Sequence, residues 1–235
     1  MKIIGVMGNG GSGKTTFTTY FEQKTNVGVI HVDDILGKAK RKYFKPFLQP
    51  KSNNTTESTK KNPKLKPDIK EAFYRNKYAF KFLMAIRSAL VTDKVLEKIN
   101  EYKSQGKRVI VIDDWALSTN KKLLNKCNHV FFLKRGFLNR REGLRQRDDL
   151  SRKELRVSDL PYAKGYISEP AALNVSVIEN NGTIKDLFTR AEQEYQEIGE
   201  LTFDERYSVR GKDSIKRAVE MLEKAKVSRE KQREE

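Results

Sequence analysis

Five short apolar runs divide this chain, and longer stretches with apolar residues at helical spacing separate them. The runs cover residues 2–8, 27–34, 107–116, 128–135 and 174–182. The third contains four consecutive β-branched residues, which are typical of a buried strand. Short apolar strands that alternate with helical stretches are typical of a parallel sheet covered by helices on both faces. The pattern therefore predicts an α/β fold with a five-stranded parallel sheet.

A long interval, residues 38–104, separates the second and third runs. Residues 44–67 within it combine four prolines with polar, low-complexity sequence, which predicts a loop or flap. From residue 68 apolar positions recur at helical spacing, and the length of this pattern predicts a pair of helices rather than a single one. We call residues 38–104 the helical excursion.

Residues 134–166, after the fourth run, are rich in arginine and poor in apolar periodicity. We interpret this segment as a mobile lid. A helix with one apolar face follows the fifth run, and the residues after it are strongly charged. We therefore expect one domain over residues 1–198 and a charged helical C-terminal extension over residues 199–235.

The composition favours a folded cytoplasmic chain with a basic surface. The 235 residues carry a formal net charge of +17 and include one cysteine and two histidines. These three side chains can form neither an internal disulfide nor the four-ligand set of a structural zinc site. No stretch reaches the ~20 apolar residues of a membrane span, so we expect no membrane contact. The positive charge would attract a polyanion, which could be a nucleotide, a coenzyme or RNA.

A glycine-rich segment directly follows the first run and satisfies the pattern G-x-x-x-x-G-K-[ST]. A predicted strand precedes it and a predicted helix follows, as in a phosphate-binding loop. In such a loop the lysine reaches the β- and γ-phosphates, and the following hydroxyl ligates Mg²⁺. The predicted phosphate-binding residues are Gly8, Asn9, Gly10, Gly11, Ser12, Gly13, Lys14, Thr15 and Thr16. Because no Asn-Lys-x-Asp sequence follows the fourth run, a small kinase is favoured over a GTPase.

Carboxylates stand at the ends of the second and third runs. Kinases of small metabolites place a carboxylate at such a strand end, where it accepts the proton of the acceptor hydroxyl. Asp33, next to Asp34, is our candidate for this base, although it could instead cap the following helix. Asp113 closes the third run and could orient the water shell of a metal held by Thr15, although it could also simply cap the strand.

The order of these pieces resembles the dephospho-coenzyme A kinase family over about residues 1–198. The segments "GNGGSGKTT", "VIHVD", "RDDLSRKEL" and "VIENNG" match the motifs of that family in order and spacing. Three departures fall on the acceptor side: His31 replaces an aspartate, Arg87-Ser88 replaces a His-Pro pair, and "DDWAL" replaces a Pro-Leu-Leu segment.

The resemblance implies a three-layer P-loop NTPase fold with a helical acceptor-binding excursion and an arginine-rich lid. It implies ATP-dependent phosphorylation of the ribose 3′-hydroxyl of dephospho-coenzyme A, with ATP and Mg²⁺ as cofactors. The site residues that it implies are the base Asp33, the phosphate-binding Lys14, the lid arginines Arg141 and Arg145, and Asn181 and Gly182 near the adenine of ATP.

Two other functions stay open at this point. The segment "HVDDI" also resembles the strand-end Asp-Asp of uridine-type nucleoside kinases. The basic residues of the helical excursion are interleaved with aromatic residues, which would also suit a regulatory protein that binds RNA. We expect a small-molecule substrate rather than nucleic acid, and the sequence leaves the oligomeric state open.

Overall fold

The computed structural model describes residues 1–43, 66–148, 152–170 and 174–200. Within them the elements follow in the order β1 (Lys2–Gly8), α1 (Lys14–Glu22), β2 (Val27–His31), α2 (Val32–Tyr43), α3 (Pro67–Arg75), α4 (Lys77–Ser104), β3 (Val109–Asp113), a 3₁₀ turn (Leu117–Thr119), α5 (Lys121–Leu124), β4 (His129–Lys134), α6 (Phe137–Asp148), α7 (Arg152–Ala163), β5 (Val175–Glu179) and α8 (Ile184–Glu200). Each of the five apolar runs forms a strand, so the strand predictions are confirmed.

The strands form one parallel sheet in the order β2-β3-β1-β4-β5. The register pairs Val6 with Asp113 of β3 and Gly8 with Leu133 of β4, so the carboxyl ends of these strands meet at one edge. Strands β2 and β3 lie on one side of β1 within the sheet, and β4 and β5 lie on the other side. The strand order therefore reverses direction at β1. Open α/β sheets bind their ligands at this edge and this point.

Apolar side chains cover both faces of the sheet because successive residues of a strand point to opposite sides. Ile3 and Met7 of β1 lie in a core cluster that includes buried residues of α4. Ile4 and Val6 lie in a second cluster with the aromatic residues of α1 and with α8. Both faces are therefore covered by helices, and the predicted three-layer α/β architecture is confirmed.

The helical excursion contains α2, α3 and α4. The predicted pair of helices is confirmed, and the two meet at Asn76, whose side chain accepts hydrogen bonds from the N–H groups of Tyr78 and Ala79 and so begins α4. Residues 44–65 of the loop predicted over residues 44–67 lie outside the described residues. The same is true of the predicted extension over 199–235 beyond residue 200, and the domain boundary at residue 198 stays a prediction.

The predicted lid, residues 134–166, contains the helices α6 and α7. Helix α7 packs against α3, where Lys153 pairs with Asp68 at 2.7 Å and Lys70 donates to the Ser158 hydroxyl at 2.9 Å. The segment therefore lies against the helical excursion in this structure. Of the helices that the structure describes, none is both long enough and apolar enough to cross a membrane.

Candidate active site

The phosphate loop joins β1 to α1 at the carboxyl edge of the sheet. Gly11 and Gly13 adopt φ values of 76° and 95°, which side chains other than glycine disfavour. A Cβ atom on Gly13 would lie 2.3 Å from Nδ2 of Asn180, and one on Gly11 would lie 2.9 Å from the carbonyl oxygen of Arg140. The glycines therefore let the loop pack closely against both the β5 end and α6.

Several groups of the loop are suited to an anion. Helix α1 begins at Lys14, has no acidic residue in its first turn, and has no side-chain cap at Gly13. The ammonium of Lys14 donates to the carbonyl of Asn9 at 3.1 Å and so lies over the loop. The hydroxyl of Ser12 is buried without a hydrogen-bond partner. An uncapped helix N-terminus with a lysine beside it is a site for phosphate groups.

Asp33 lies in the first turn of α2, one residue after the helix begins, and is therefore not its N-cap. Its side chain is 56% exposed, and its Oδ1 atom lies 3.9 Å from Nη2 of Arg87. The adjacent Asp34 is half-buried. The carboxylate of Asp33 is therefore accessible to a ligand at the same edge of the sheet as the phosphate loop.

Arg87 and Asp114 form a buried ion pair next to Asp33. Nη2 and Nη1 of Arg87 lie 2.6 and 3.0 Å from the two carboxylate oxygens of Asp114, and both side chains are almost fully buried. The guanidinium also lies 5.6 Å from the centre of the Trp115 ring. Sequence reasoning noted Arg87 only as a departure and missed the pair, although an arginine on the apolar side of a predicted helix was a usable signal.

Asp113 lies at the end of β3 on the α1 side of the sheet. Its Oδ2 atom bonds to Nδ1 of His31 at 3.0 Å, and Nε2 of the same ring lies 2.7 Å from Glu22. The bonds to these two carboxylates raise the pKa of His31 to about 9. The predicted metal-orienting role of Asp113 stays a prediction, and no group of three or more His, Cys, Asp or Glu side chains suited to a metal lies in the described part of the chain.

Side chains of the lid reach the phosphate loop. Arg140 is buried, forms an ion pair with Asp159 of α7, and donates to the carbonyl of Gly10 at 3.4 Å. The Tyr162 hydroxyl lies 3.0 Å from the Gly8 carbonyl oxygen and 3.1 Å from that of Trp115. These contacts were not predictable from the residue order, because they depend on how α6 and α7 fold back on the loop.

The two lid arginines predicted from the sequence are Arg141 and Arg145. The guanidinium of Arg141 lies 5.0 Å from the centre of the exposed Phe137 ring. The side chain of Arg145 lies outside the described residues. Their role in binding the transferring phosphate stays a prediction.

The loop after β5 joins the phosphate loop to the lid. Asn180 is buried and donates to the carbonyl of Ser12 at 2.8 Å, while the Asn181 side chain accepts from the N–H of Gly136 at 2.7 Å. A Cβ atom on Gly182 would lie 2.6 Å from a carboxylate oxygen of Asp186. Sequence reasoning missed Asn180, and the predicted contact of Asn181 and Gly182 with adenine stays a prediction.

A pocket opens between the helices of the excursion, beside Arg87. It is lined by Leu36, Lys40, Tyr74, Leu83, Met84, Ile86, Arg87, Leu90 and Trp115. Burial lowers the pKa of Lys40, and the negative charge of Asp33 opposes this shift. The pocket thus combines apolar walls with a cation, close to the candidate base.

The fold and the phosphate loop define a P-loop kinase, a phosphotransferase with an alcohol group as acceptor. The family model of dephospho-CoA kinase (CoaE) matches residues 2–186. The chain belongs to the dephospho-CoA kinase family, which confirms the resemblance found in the sequence.

One solved structure supports this fold, and a second similar chain has a lower TM-score. A structure described as TT1252 from Thermus thermophilus has 18% sequence identity and a TM-score of 0.57, covering 86% of this chain and 98% of its own. A dephospho-CoA kinase from Campylobacter jejuni has 21% identity and a TM-score of 0.46, covering 84% of this chain and 98% of its own. A search of curated proteins gave no significant match.

Proposed function

We propose that this kinase transfers the γ-phosphate of ATP to the ribose 3′-hydroxyl of dephospho-coenzyme A. The observation that carries the proposal is the position of Asp33, an accessible carboxylate at the sheet edge that also holds the phosphate loop. The family match supports the acceptor. The apolar pocket of the excursion, lined by Lys40 and Arg87, would receive an apolar part of the acceptor, and the half-buried Lys40 would attract its phosphate groups.

The residues of the phosphate loop fit a nucleoside triphosphate with its metal. The uncapped N-terminus of α1, the unpartnered buried hydroxyl of Ser12 and the ammonium of Lys14 are all groups that phosphate oxygens satisfy. The exposed Thr15 and the strand-end Asp113 are the residues that would hold Mg²⁺. Bound Mg²⁺ would neutralise charge on the β- and γ-phosphates.

Each catalytic residue has one task in this proposal. Lys14 neutralises negative charge on the phosphate oxygens during transfer. Asp33 orients the acceptor hydroxyl and accepts its proton. Arg141 and Arg145 of the lid would add positive charge when the lid covers the phosphates. Packing of α7 against α3 would exclude water from the reacting groups.

The proposal is tested by ADP release from purified protein with dephospho-coenzyme A, uridine or cytidine as acceptor. We expect turnover with dephospho-coenzyme A, and mass spectrometry should locate the new phosphate on the ribose 3′-oxygen. Preference for a nucleoside would support the uridine-kinase alternative instead. Salt-dependent RNA binding without phosphate transfer would support the regulatory alternative.

The matched variants Asp33→Asn and Asp34→Asn test the assignment of the base. Asp33→Asn keeps the shape of the side chain but removes its basicity, so turnover should fall by roughly 10²-fold or more. Asp34→Asn should change turnover much less. ATP affinity and melting temperature should stay close to wild type in both. If Asp34 proves essential and Asp33 dispensable, the base is assigned to the wrong residue.

A further inference from the structure

Arg87 lies between two carboxylates that belong to different elements. Asp114, just after β3, accepts hydrogen bonds from both outer nitrogens of the guanidinium, at 2.6 and 3.0 Å. Nη2, the nitrogen with the shorter of these two contacts, also lies 3.9 Å from Oδ1 of Asp33. Since Nη2 carries two hydrogens, one can serve Asp114 while the other points to Asp33. Arg87 therefore connects the end of β3 to the candidate base on α2.

The guanidinium is held in one position. Asp114 is fully buried, and its Oδ1 atom also accepts the N–H of Ala116 at 2.9 Å, so the carboxylate has a fixed orientation. Two parallel bonds to such a carboxylate fix the plane of the guanidinium. Burial disfavours the charge on Arg87, but the attraction of Asp114 and Asp33 outweighs it and raises the pKa of Arg87. A rigid cation thus faces a carboxylate on a solvent-exposed helix turn.

The distance between Arg87 and Asp33 is suited to orienting the carboxylate of Asp33 rather than to neutralising its charge. At 3.9 Å the contact is too long for a hydrogen bond, so it does not use the lone pairs of Asp33. One full negative charge, that of Asp114, already balances the arginine. Asp33 is therefore attracted towards Arg87 without being tied to it, and its carboxylate remains 56% exposed for a ligand.

We propose that Arg87, fixed by Asp114, is a positioning residue that orients the carboxylate of Asp33 for the acceptor hydroxyl. This inference rests on the proposed function, in which Asp33 is the base. Misplacing a reacting group by about 1 Å can cost about 10²-fold in rate, so a residue that sets the direction of the base affects kcat.

Arg87→Lys separates positioning from a purely structural role. Lysine keeps the charge and one contact with Asp114 but lacks the planar fork, so it cannot hold Asp114 and face Asp33 at the same time. We expect kcat to fall about 10- to 100-fold while the KM for ATP stays near wild type. The matched control is Arg190→Lys, which alters an arginine paired with Glu194 on α8, away from the site.

The decisive measurement is a double-mutant cycle of Arg87→Lys and Asp33→Asn on kcat. If Arg87 acts through Asp33, Arg87→Lys should change kcat less than about twofold once Asp33 is replaced. Melting temperatures of all variants show which are folded. If Arg87→Lys does not fold, Asp114→Asn takes its place, because it frees the guanidinium to bond directly to Asp33 and should lower kcat only when Asp33 is present.

The outcomes are distinguishable. Equal kcat losses from Arg87→Lys with and without Asp33 would overturn the inference and leave the proposed function intact. Normal turnover of Asp33→Asn would overturn both the assignment of the base and the inference. Absence of acceptor phosphorylation by the wild type would overturn the proposed function, and the inference with it. A non-additive cycle with a normal Arg190→Lys control supports the inference.

Discussion

Glu22, His31 and Asp113 form a row of charged groups whose contribution to stability depends on pH. The imidazole of His31 lies between the two carboxylates at 2.7 and 3.0 Å, and its pKa is raised from 6.5 to about 9. Because the pKa in the folded chain exceeds that in the unfolded chain, the protonated ring stabilises the fold in full below about pH 6.5. This stabilisation is lost as the pH rises through about 9.

The magnitude follows from the size of the pKa difference. A shift from 6.5 to about 9 corresponds, at about 1.36 kcal/mol per pKa unit, to at most about 3.5 kcal/mol of unfolding free energy. The His31 side chain is 27% exposed, so solvent screening makes the value an upper limit. For a chain of this size, such a change corresponds to a shift in melting temperature of up to about 7–14 °C.

The assay compares wild type with His31→Gln across pH 6 to 10, without nucleotide or divalent cation. The destabilisation caused by His31→Gln should be largest near pH 6 and should shrink towards pH 10. His129→Gln is the matched control, since His129 is the other histidine of the chain and bonds to the Ser176 hydroxyl. NMR of the imidazole signals measures the pKa of His31 directly. Equal destabilisation by His31→Gln at pH 6 and pH 10 would refute the reasoning.

Three further predictions concern the phosphate loop and the lid. Lys14→Ala should lower turnover by at least about 10²-fold in the ADP-release assay with little change in melting temperature, and near-normal turnover would remove Lys14 from the mechanism. Gly13→Ala should lower the melting temperature more than Gly106→Ala, because both glycines have positive φ but only a Cβ on Gly13 meets another group; equal losses would contradict this. Replacing Arg141 and Arg145 together by alanine should lower kcat by about 10²–10³-fold, and an unchanged kcat would exclude them from catalysis.

The strands and the phosphate loop could be predicted from the sequence because their signals are local. Apolar runs such as residues 107–116 and the glycines around Lys14 depend on backbone sterics and burial of neighbouring residues, which the residue order displays directly. The break between α3 and α4 was also predictable in outline, since the apolar pattern was too long for one ordinary helix. Asn76 supplies the N-cap at this break.

The contacts around the site could not be predicted because they join residues far apart in the chain. Asn180 reaches Ser12, and Tyr162 reaches Gly8, only after the sheet has assembled and α7 has folded against it. Arginine-rich sequence with little apolar periodicity indicated a mobile lid, but it does not show that Arg140 is buried in an ion pair. A buried position is normally recognised by an apolar residue at helical spacing. A charged residue buried in an ion pair does not show this pattern.

Two of the three departures from the family pattern, His31 and the segment 113–117, lie at the ends of neighbouring strands, and the third, Arg87 of α4, contacts that segment. His31 bonds to Asp113, the residue next to Asp114, and Arg87 both pairs with Asp114 and lies against the Trp115 ring. Residues in one network of charges do not contribute independently, because replacing one leaves its buried partner unpaired. The departures therefore form two charged contacts at consecutive residues, Asp113 and Asp114, and the second of them also faces Asp33. Under the proposed function, these contacts would support the candidate base Asp33 in place of the residues usual in the family.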